Sequence, residues 1–404
     1  MGEPLVIIGN GMATVHLVEE LAKRALGRFA VAVIGEEPRL AYNRVLLSAV
    51  LAQEISRSDI ELRPARWWRE RGVTLLYGRT ATAIDPTIRR VRLADGATLP
   101  YARLVLATGS RPIRLGVPGM DLPGVMTFRD LGDVGAIQAT AARLPKVVVI
   151  GGGLLGLEAA SGLAKLGSQV TVIHLMDRLM ERQLDSHAAG LLKRTLEARG
   201  VTVLLNAETI AIRGRDRAQA VALKDGTEIE ADLVVVAAGI RPNVELAYSA
   251  GLGIDRGILV DDHLQTSRPG IYAIGECAEH RGICYGLVQP AYEQARALAA
   301  HLAGEKAHYP GSVLATNLKV SGVDVFSAGD FLGAPGTEQL VLLDQGLGTY
   351  KKLIVRDARL VGAVLFGDTA DGLWYLDLIR SGASIEAIRD DMMFGRALAE
   401  REAA

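Results

Sequence analysis

The chain repeats one local grammar about 140 residues apart, and few folds accommodate such a repeat. The first copy runs Leu5-Val6-Ile7-Ile8, then Gly9-Asn10-Gly11-Met12-Ala13-Thr14, a helix-period segment to about Leu26, and a second apolar run from Ala30 to Ile34. The second runs Val147-Val148-Val149-Ile150, Gly151-Gly152-Gly153-Leu154-Leu155-Gly156, a helical segment to about Leu166, and a run from Gln169 to Ile173. Short apolar runs bounded by glycine and separated by a helix are the signature of parallel strands buried on both faces. Each copy therefore predicts a strand-helix-strand unit. The later halves repeat too: Asp95-Gly96 and Asp225-Gly226 predict hairpin turns, each followed by a buried run ending in glycine, Leu104 to Gly109 and Leu233 to Gly239.

The glycines of such a unit have separate duties. The first makes a tight turn, the second lets backbone approach a pyrophosphate, and the third lets helix and strand pack closely. The anion then sits at a helix N-terminus, where unpaired N–H groups and the dipole favour negative charge. The expected fold class is α/β, with two Rossmann-like three-layer dinucleotide-binding domains. From about Tyr309 the texture changes. Strand-like stretches at 314–319, 323–328, 339–343, 350–355 and 360–366 precede a helix at 371–381. This predicts a C-terminal α+β domain without a phosphate turn, read as a dimerisation or capping module. The expected boundaries are 1–113 with 241–309, 114–240, and 310–404. The chain closes on Met392-Met393-Phe394-Gly395 and a polar, helix-like tail through Ala404.

Composition excludes several classes. Lys+Arg 45 against Asp+Glu 46 gives a net charge of -1, so no positive field invites nucleic acid or an anionic membrane. Cys277 and Cys284 are the only thiols, too few for a disulfide framework or cysteine-ligated cluster, and they suit a reducing, cytoplasmic setting. Met1-Gly2-Glu3-Pro4 leads directly into the first strand without a secretory pattern. The most apolar stretch, Val147 to Leu157, falls short of the roughly 20 residues of a membrane span. Seven scattered histidines show no metal-binding spacing, so no metal is expected.

Gly9-x-Gly11, Ala107-Thr108-Gly109-Ser110-Arg111-Pro112, Gly151-x-Gly153-x-x-Gly156-x-Glu158 and Ile271 through Ala278 together resemble the two-dinucleotide-domain flavoprotein reductases, which include rubredoxin and ferredoxin reductases. Tyr42-Asn43-Arg44-Val45-Leu46-Leu47-Ser48, His174-Leu175-Met176 through Glu181-Arg182-Gln183-Leu184-Asp185, and Gly275 through Gly282 are similar to the flavin-binding N-terminal region of the NAD(P)H-dependent assimilatory nitrite reductase large subunit. The likeness spans nearly the whole chain. It implies a glutathione reductase-like fold and an FAD-dependent NAD(P)H oxidoreductase. Hydride would pass from the nicotinamide to the flavin, and electrons onward to a separate acceptor protein of nitrite or nitrate reductase, rubredoxin or ferredoxin type.

By that resemblance the first unit holds FAD. Gly9 and Gly11, with Met12 and Ala13, would cradle its pyrophosphate, and Glu36, 27 positions after Gly9, would accept hydrogen bonds from the adenosine ribose. The plainer reading of Glu36, beside Glu37 and Pro38, is a solvated turn residue. Thr14 stands at the third-glycine position, so helix and strand are expected to pack slightly farther apart there. Glu276 stands where relatives carry Asp, facing the ribityl and pyrophosphate region. Asn43 and Arg44 would lie beside the isoalloxazine, with a surface arginine as the competing reading. Ser48, Ala81, Thr108, Gly109, Arg111, Gly275 and Gln289 complete the implied FAD set. Pro290 suits the first turn of a helix ending near Leu302, whose N-terminus would stabilise the anionic reduced flavin.

The second unit would hold NAD(P)H through Gly151, Gly153, Leu154, Leu155, Gly156, Ala238 and Gly239. Choice between NADH and NADPH is written at the end of the next strand. Here that position is His174, with Arg178 four residues on. An imidazole can hydrogen-bond a ribose hydroxyl, and a protonated histidine with Arg178 can accept a 2′-phosphate. The resemblance implies NADH and leaves NADPH open. In relatives Glu158 lies near the nicotinamide, often paired with a lysine of the first unit. That position is Ala49 here, and Arg44 is the candidate replacement, so Arg44 and Glu158 form the expected catalytic pair.

Thiol-dependent members need C-x4-C on a first-domain helix or one Cys near Ser48. This chain has neither, and Cys277 and Cys284 read as structural. The longer nitrite reductase subunits continue into an iron–sulfur module and a siroheme domain. This chain is therefore expected not to reduce nitrite alone, being either a piece of a longer reductase or a donor to a separate acceptor, as monomer or homodimer. Arg63 through Arg71 reads as an amphipathic helix with a tryptophan core face rather than a docking patch. A reading from a different class is a flavin-bound redox sensor or interaction protein whose turnover is incidental.

Overall fold

The computed structural model describes residues 2–400 except Leu144 and Ser321, with Val320 described by its backbone alone. The expected tail runs into 401–404, outside the described residues; before it, Arg396–Ala399 is helical. The chain divides into two compact units, Met1–Ile113 with Ile240–Ser312, and Arg114–Gly239 with Val313–Ala404.

In the first unit a parallel sheet runs in the order Ile271–Ala273, Arg103–Leu106, Glu3–Ile8, Phe29–Gly35, Thr74–Tyr77. Side chains alternate across the pleat. Leu5, Ile7, Val31 and Val33 therefore enter one core, while Val6, Ile8, Ile34 and Leu104 enter another. Burial on both faces is why these strands read as unbroken apolar runs. The first core is completed by helices Met12–Arg24 and Val288–Ala303, the second by an antiparallel sheet of Ala81–Asp85, Arg90–Leu93 and Thr98–Pro100. The predicted hairpin closes at Asp95-Gly96, where Gly96 has φ +86° and Asp95 Oδ1 accepts from the Ala97 amide at 3.0 Å. In helix Ala65–Glu70, Trp68 is buried as the amphipathic reading requires.

The second unit repeats the plan with Thr202–Leu204, Gln169–Ile173, Lys146–Ile150, Leu233–Val236 and Val125–Thr127, all parallel. Val148, Ile150, Val234 and Val236 share a core with Ile212, Val221 and Leu223 of a small antiparallel sheet. Its hairpin turns at Asp225-Gly226, with Gly226 at φ +91°. The runs expected to reach Gly109 and Gly239 end as strands at Leu106 and Val236. There the carbonyls of Ala107 and Ala237 turn against Gly9 and Gly151, which follow the neighbouring strands.

Residues beyond 313 form an antiparallel sheet in the order Ala315–Val320, Val323–Gly329, Arg359–Phe366, Thr349–Arg356, Glu338–Asp344. Helix Gly372–Ser381 packs on it through Tyr375 and Leu376, against Phe326, Leu353 and Leu365. Buried Asp185 ties this sheet to the rest of its unit. It caps helix Ser186–Glu197 by accepting from the Ala188 amide at 3.0 Å, and takes the Tyr350 hydroxyl at 2.7 Å and Lys352 Nζ at 3.2 Å. Among the described residues no helix is long and apolar enough to cross a membrane, and no acidic, histidine or cysteine cluster could hold a metal.

Candidate dinucleotide-binding sites

Both glycine turns obey one steric rule. Gly9 has φ +117° and donates to Ile34 O at 2.8 Å; Gly151 has φ +125° and donates to Ile173 O at 2.8 Å. A Cβ on Gly9 would stand 2.0 Å from Ala107 O, and one on Gly151 2.2 Å from Ala237 O. Only glycine fits at either point. Gly11 and Gly153 differ. They are the N-caps of Met12–Arg24 and Leu154–Lys165, and a Cβ on either would meet no heavy atom of the described residues within 4 Å. Among the described residues neither helix has a side-chain cap, and neither carries an acidic residue in its first turn. Met12, Ala13, Leu154 and Leu155 thus open helices whose N-termini offer uncapped amides beside free space. Such an end suits an anion, and each cradle fits a dinucleotide pyrophosphate.

The third position is solved in two ways. A Cβ on Gly156 would lie 2.1 Å from Gly151 O, so glycine is required. Thr14 is fully buried and instead donates its hydroxyl to Gly9 O at 2.7 Å.

Around the first turn the fold gathers several expected residues. A Cβ on Gly275 would lie 3.3 Å from Ala13 Cβ and 4.0 Å from Ala291 Cβ, and the Gly275 amide donates to buried Gln294 Oε1 at 2.7 Å. The approach to Glu276, the first glycine helix and the opening turn carrying Gln289 and Pro290 therefore meet. Helix Val288–Ala303 also begins without a side-chain cap or acid. Glu276 Oε2 accepts from Ser110 Oγ at 2.7 Å. Thr108, Gly109 and Arg111 all hydrogen-bond Asn243: Asn243 Nδ2 donates to Thr108 O at 2.8 Å, its amide to Gly109 O at 3.0 Å, and Arg111 to Asn243 Oδ1 at 3.1 Å. Asn243 was not singled out from sequence. Its signal was the repeated Arg-Pro of Arg111-Pro112 and Arg241-Pro242, which pair antiparallel.

Glu36 is exposed at the end of Phe29–Gly35. Asn10, also missed, lies against Gly35, with Nδ2 reaching Arg39 O at 3.3 Å and a buried Oδ1 that has no hydrogen-bond partner among the described residues. A dry, unpaired acceptor beside a glycine turn suits a ribose hydroxyl.

At the second turn His174 Nδ1 accepts from the Gly152 amide at 3.0 Å, and Nε2 lies 3.2 Å from Glu181 Oε2. Arg178 donates to Leu184 O at 3.4 Å and to Asp177 Oδ1 at 3.0 Å. Ala238 and Gly239 follow the Ala237 carbonyl that abuts Gly151, with Gly239 at φ +109°.

Residues 3–301 match the family model described as pyridine nucleotide-disulphide oxidoreductase, and residues 315–383 match the rubredoxin NAD+ reductase C-terminal domain. The chain belongs to the pyridine nucleotide-disulphide oxidoreductase family. As a pyridine nucleotide-disulphide oxidoreductase family member it is an oxidoreductase that uses FAD and NAD(P)H. It is 48% identical over 382 residues to nitrite reductase [NAD(P)H] of Bacillus subtilis, covering 94% of this chain and 48% of that protein. It is 46% identical over 374 residues to the assimilatory nitrate reductase electron transfer subunit of the same organism, covering 92% and 48%. The chain thus spans about half the length of these curated relatives. A solved ferredoxin reductase from Rhodopseudomonas palustris superposes with a TM-score of 0.88 at 28% identity, covering 100% of both chains. The expected three-layer, glutathione reductase-like architecture is the one found.

The two cysteines of this chain are free thiols and do not form a C-x4-C pair. Cys277 is fully buried and burial pushes its thiol up; burial, with Glu279 nearby, raises Cys284 to about 11. The remaining expected residues of the first unit lie on short segments that follow Phe29–Gly35. Asn43 Oδ1 accepts from the Val45 amide at 3.1 Å and caps the short turn Arg44–Leu46. Arg44 binds Glu37 and lies over the Tyr42 ring, 5.1 Å from its centroid, while the Tyr42 hydroxyl donates to Glu37 at 2.8 Å. Ser48 lies in the short helix Leu47–Leu51, and Ala81 begins its strand. Arg44 belongs to the first unit; Glu158, half-buried in Leu154–Lys165, belongs to the second.

Proposed function

We propose that this chain takes hydride from NADH or NADPH and delivers electrons to a separate protein redox centre of nitrite or nitrate reductase, rubredoxin or ferredoxin type. The observation that carries the reading is the pair of glycine turns, each opening a helix that is uncapped and beside free space. On this reading 1–113 with 241–309 hold FAD, 114–240 hold NAD(P)H, and 310–404 serve as an interface or dimerisation domain. Bound FAD supplies the conversion of a hydride into electrons that a protein centre can accept. The chain's own groups bind and orient. The amides of Met12 and Ala13 take the FAD pyrophosphate, and Glu36 and Asn10 accept from ribose hydroxyls. Glu276, fixed by Ser110, accepts from the ribityl region, with Thr108, Gly109 and Arg111 held beside it by Asn243. The N-terminus of Val288–Ala303 contributes positive potential. In the second unit Gly153, Leu154 and Leu155 take the nicotinamide nucleotide pyrophosphate.

Both thiols stay protonated at neutral pH, which favours an external acceptor over an internal dithiol. The two Bacillus subtilis relatives, a nitrite reductase [NAD(P)H] and an assimilatory nitrate reductase electron transfer subunit, support the same direction of electron flow. The test is an anaerobic titration of the FAD-loaded protein with NADH and NADPH, followed by addition of a ferredoxin or rubredoxin. Flavin absorbance is expected to fall and then recover with the acceptor. Protein that stays colourless after incubation with FAD, or a flavin that remains oxidised under excess of both nucleotides, would refute the assignment. Recovery with air but with no protein acceptor would refute its second half.

A further inference from the structure

We propose that Glu181, oriented by His174, makes the second site select NADH over NADPH by presenting a carboxylate to the 2′ position of the adenosine ribose. The inference rests on the NAD(P)H site proposed above and names what that site discriminates. In a dinucleotide unit, the residue that reads the ribose lies at the end of the strand following the glycine helix. That strand, Gln169–Ile173, pairs with Lys146–Ile150, and Gly151 donates to Ile173 O. His174 comes next, yet both its ring nitrogens are engaged. Nδ1 accepts from the Gly152 amide, so the ring proton sits on Nε2 and points at Glu181. A cationic ring would carry hydrogens on both nitrogens and could not accept from Gly152. The side chain is only 10% exposed. His174 is thereby a positioning residue rather than a phosphate ligand.

The chain after His174 folds back onto the turn. The Met180 amide donates to Gly152 O at 3.0 Å, and a Cβ on Gly152 would fall 2.7 Å from both His174 Cγ and Leu179 Cδ2. Both backbone groups of Gly152 are therefore used to hold the segment that carries Glu181. The Glu181 side chain remains 25% exposed, so its carboxylate is fixed on one side and accessible on the other. Arg178, the cation nearest in sequence to His174, is held by Asp177 and Leu184 O. Leu175 and Met176 are 60% and 44% exposed directly after His174, giving the strand end an apolar surface suited to an adenine ring. A ribose 2′-hydroxyl can donate to a carboxylate. A 2′-phosphate is an acceptor and an anion, and meets like charge there. Discrimination then arises from a repulsive element against the wrong nucleotide.

The test is calorimetric titration of the FAD-loaded protein with NAD+ and with NADP+, run beside anaerobic reduction by NADH and NADPH. NAD+ is expected to bind about tenfold or more tightly. Glu181→Gln, which keeps an acceptor for His174, is expected to lower the NAD+/NADP+ affinity ratio about fivefold or more, mainly by strengthening NADP+. The parent ratio is expected to shrink with added salt, a response that a purely structural role would not produce. Arg182→Gln removes the exposed neighbouring cation and is expected to leave the ratio unchanged. His174→Ala should lower the ratio with Glu181 present, and have little effect on it in the Glu181→Gln background. NADP+ binding as tight as NAD+, or an unchanged ratio in Glu181→Gln, overturns this proposal while leaving the oxidoreductase reading intact. Binding of neither nucleotide, with no flavin reduction, overturns both.

Discussion

Replacing the second glycine of a turn separates ligand binding from folding, because that residue meets no neighbour. Gly11 sits at φ −122° and ψ −168°, an extended conformation open to alanine, and a Cβ there has no heavy atom within 4 Å. Gly11→Ala restricts the unfolded chain, which stabilises by ~0.4–1 kcal/mol. Alanine is a poorer N-cap than glycine, which costs roughly 0.5–1 kcal/mol. The two nearly cancel, so the apoprotein should melt within a few degrees of the parent. The methyl group nevertheless stands where a phosphate oxygen must approach the helix amides. Loss of one hydrogen bond to a charged group costs about 1.5–3 kcal/mol, which weakens FAD binding roughly tenfold to 150-fold. Flavin fluorescence on dilution gives the dissociation constant, and thermal unfolding of the FAD-free protein gives the stability. Gly9→Ala is the contrasting case, since its Cβ would overlap Ala107 O at positive φ and lower stability directly. A Gly11→Ala protein that melts like the parent and binds FAD within about threefold of it would refute the idea that these amides hold the pyrophosphate.

Thr14→Val removes the hydroxyl that serves Gly9 O and should cost ~1–2 kcal/mol in denaturant unfolding, while Thr14→Ser should retain most of it. Tyr350→Phe deprives buried Asp185 of a donor; a loss of about 1–2 kcal/mol is expected, and an unchanged midpoint would show that Lys352 and the Ala188 amide suffice. The Cys284 thiol is raised to about 11, so its thiolate forms in the folded protein only as pH approaches that value. Alkylation of Cys284, followed by mass spectrometry, should stay slow at pH 9, whereas unfolded protein should react from about pH 8.5.

The elements legible in the sequence were those whose cause is local. Apolar runs between glycines marked both parallel sheets. The strand expected at 323–328 is Val323–Gly329, and the helix expected at 371–381 is Gly372–Ser381. What stayed hidden depends on partners distant in sequence. Asp185 looks like an ordinary helix cap until Tyr350 and Lys352 arrive from a strand 165 residues later. Asn243 organises Thr108 and Arg111 across a similar gap. His174 and Arg178 suggested either nucleotide, because sequence shows which charges are present and not which are already engaged. Arg44 illustrates the same limit, since its pairing with Glu37 follows from how the chain returns after Phe29–Gly35.

The three glycines of each turn are unequal as evidence for a ligand. The first is demanded by the fold, since the Ala107 and Ala237 carbonyls leave no room for a side chain at positive φ. A protein that bound nothing would need it equally. The third is negotiable between units, because Thr14 meets with a hydroxyl bonded to Gly9 O the position that Gly156 fills by having no side chain against Gly151 O. The second has no steric reason to be glycine in either unit: its backbone is extended and its surroundings are open. A serine, aspartate or asparagine there would cap the helix better. Folding alone would favour such a residue, yet both units forgo it and leave the amides uncapped. That shared sacrifice is accounted for if the cap arrives from outside as an anion. The positions that contribute least to the fold are therefore the ones that speak most directly for nucleotide binding.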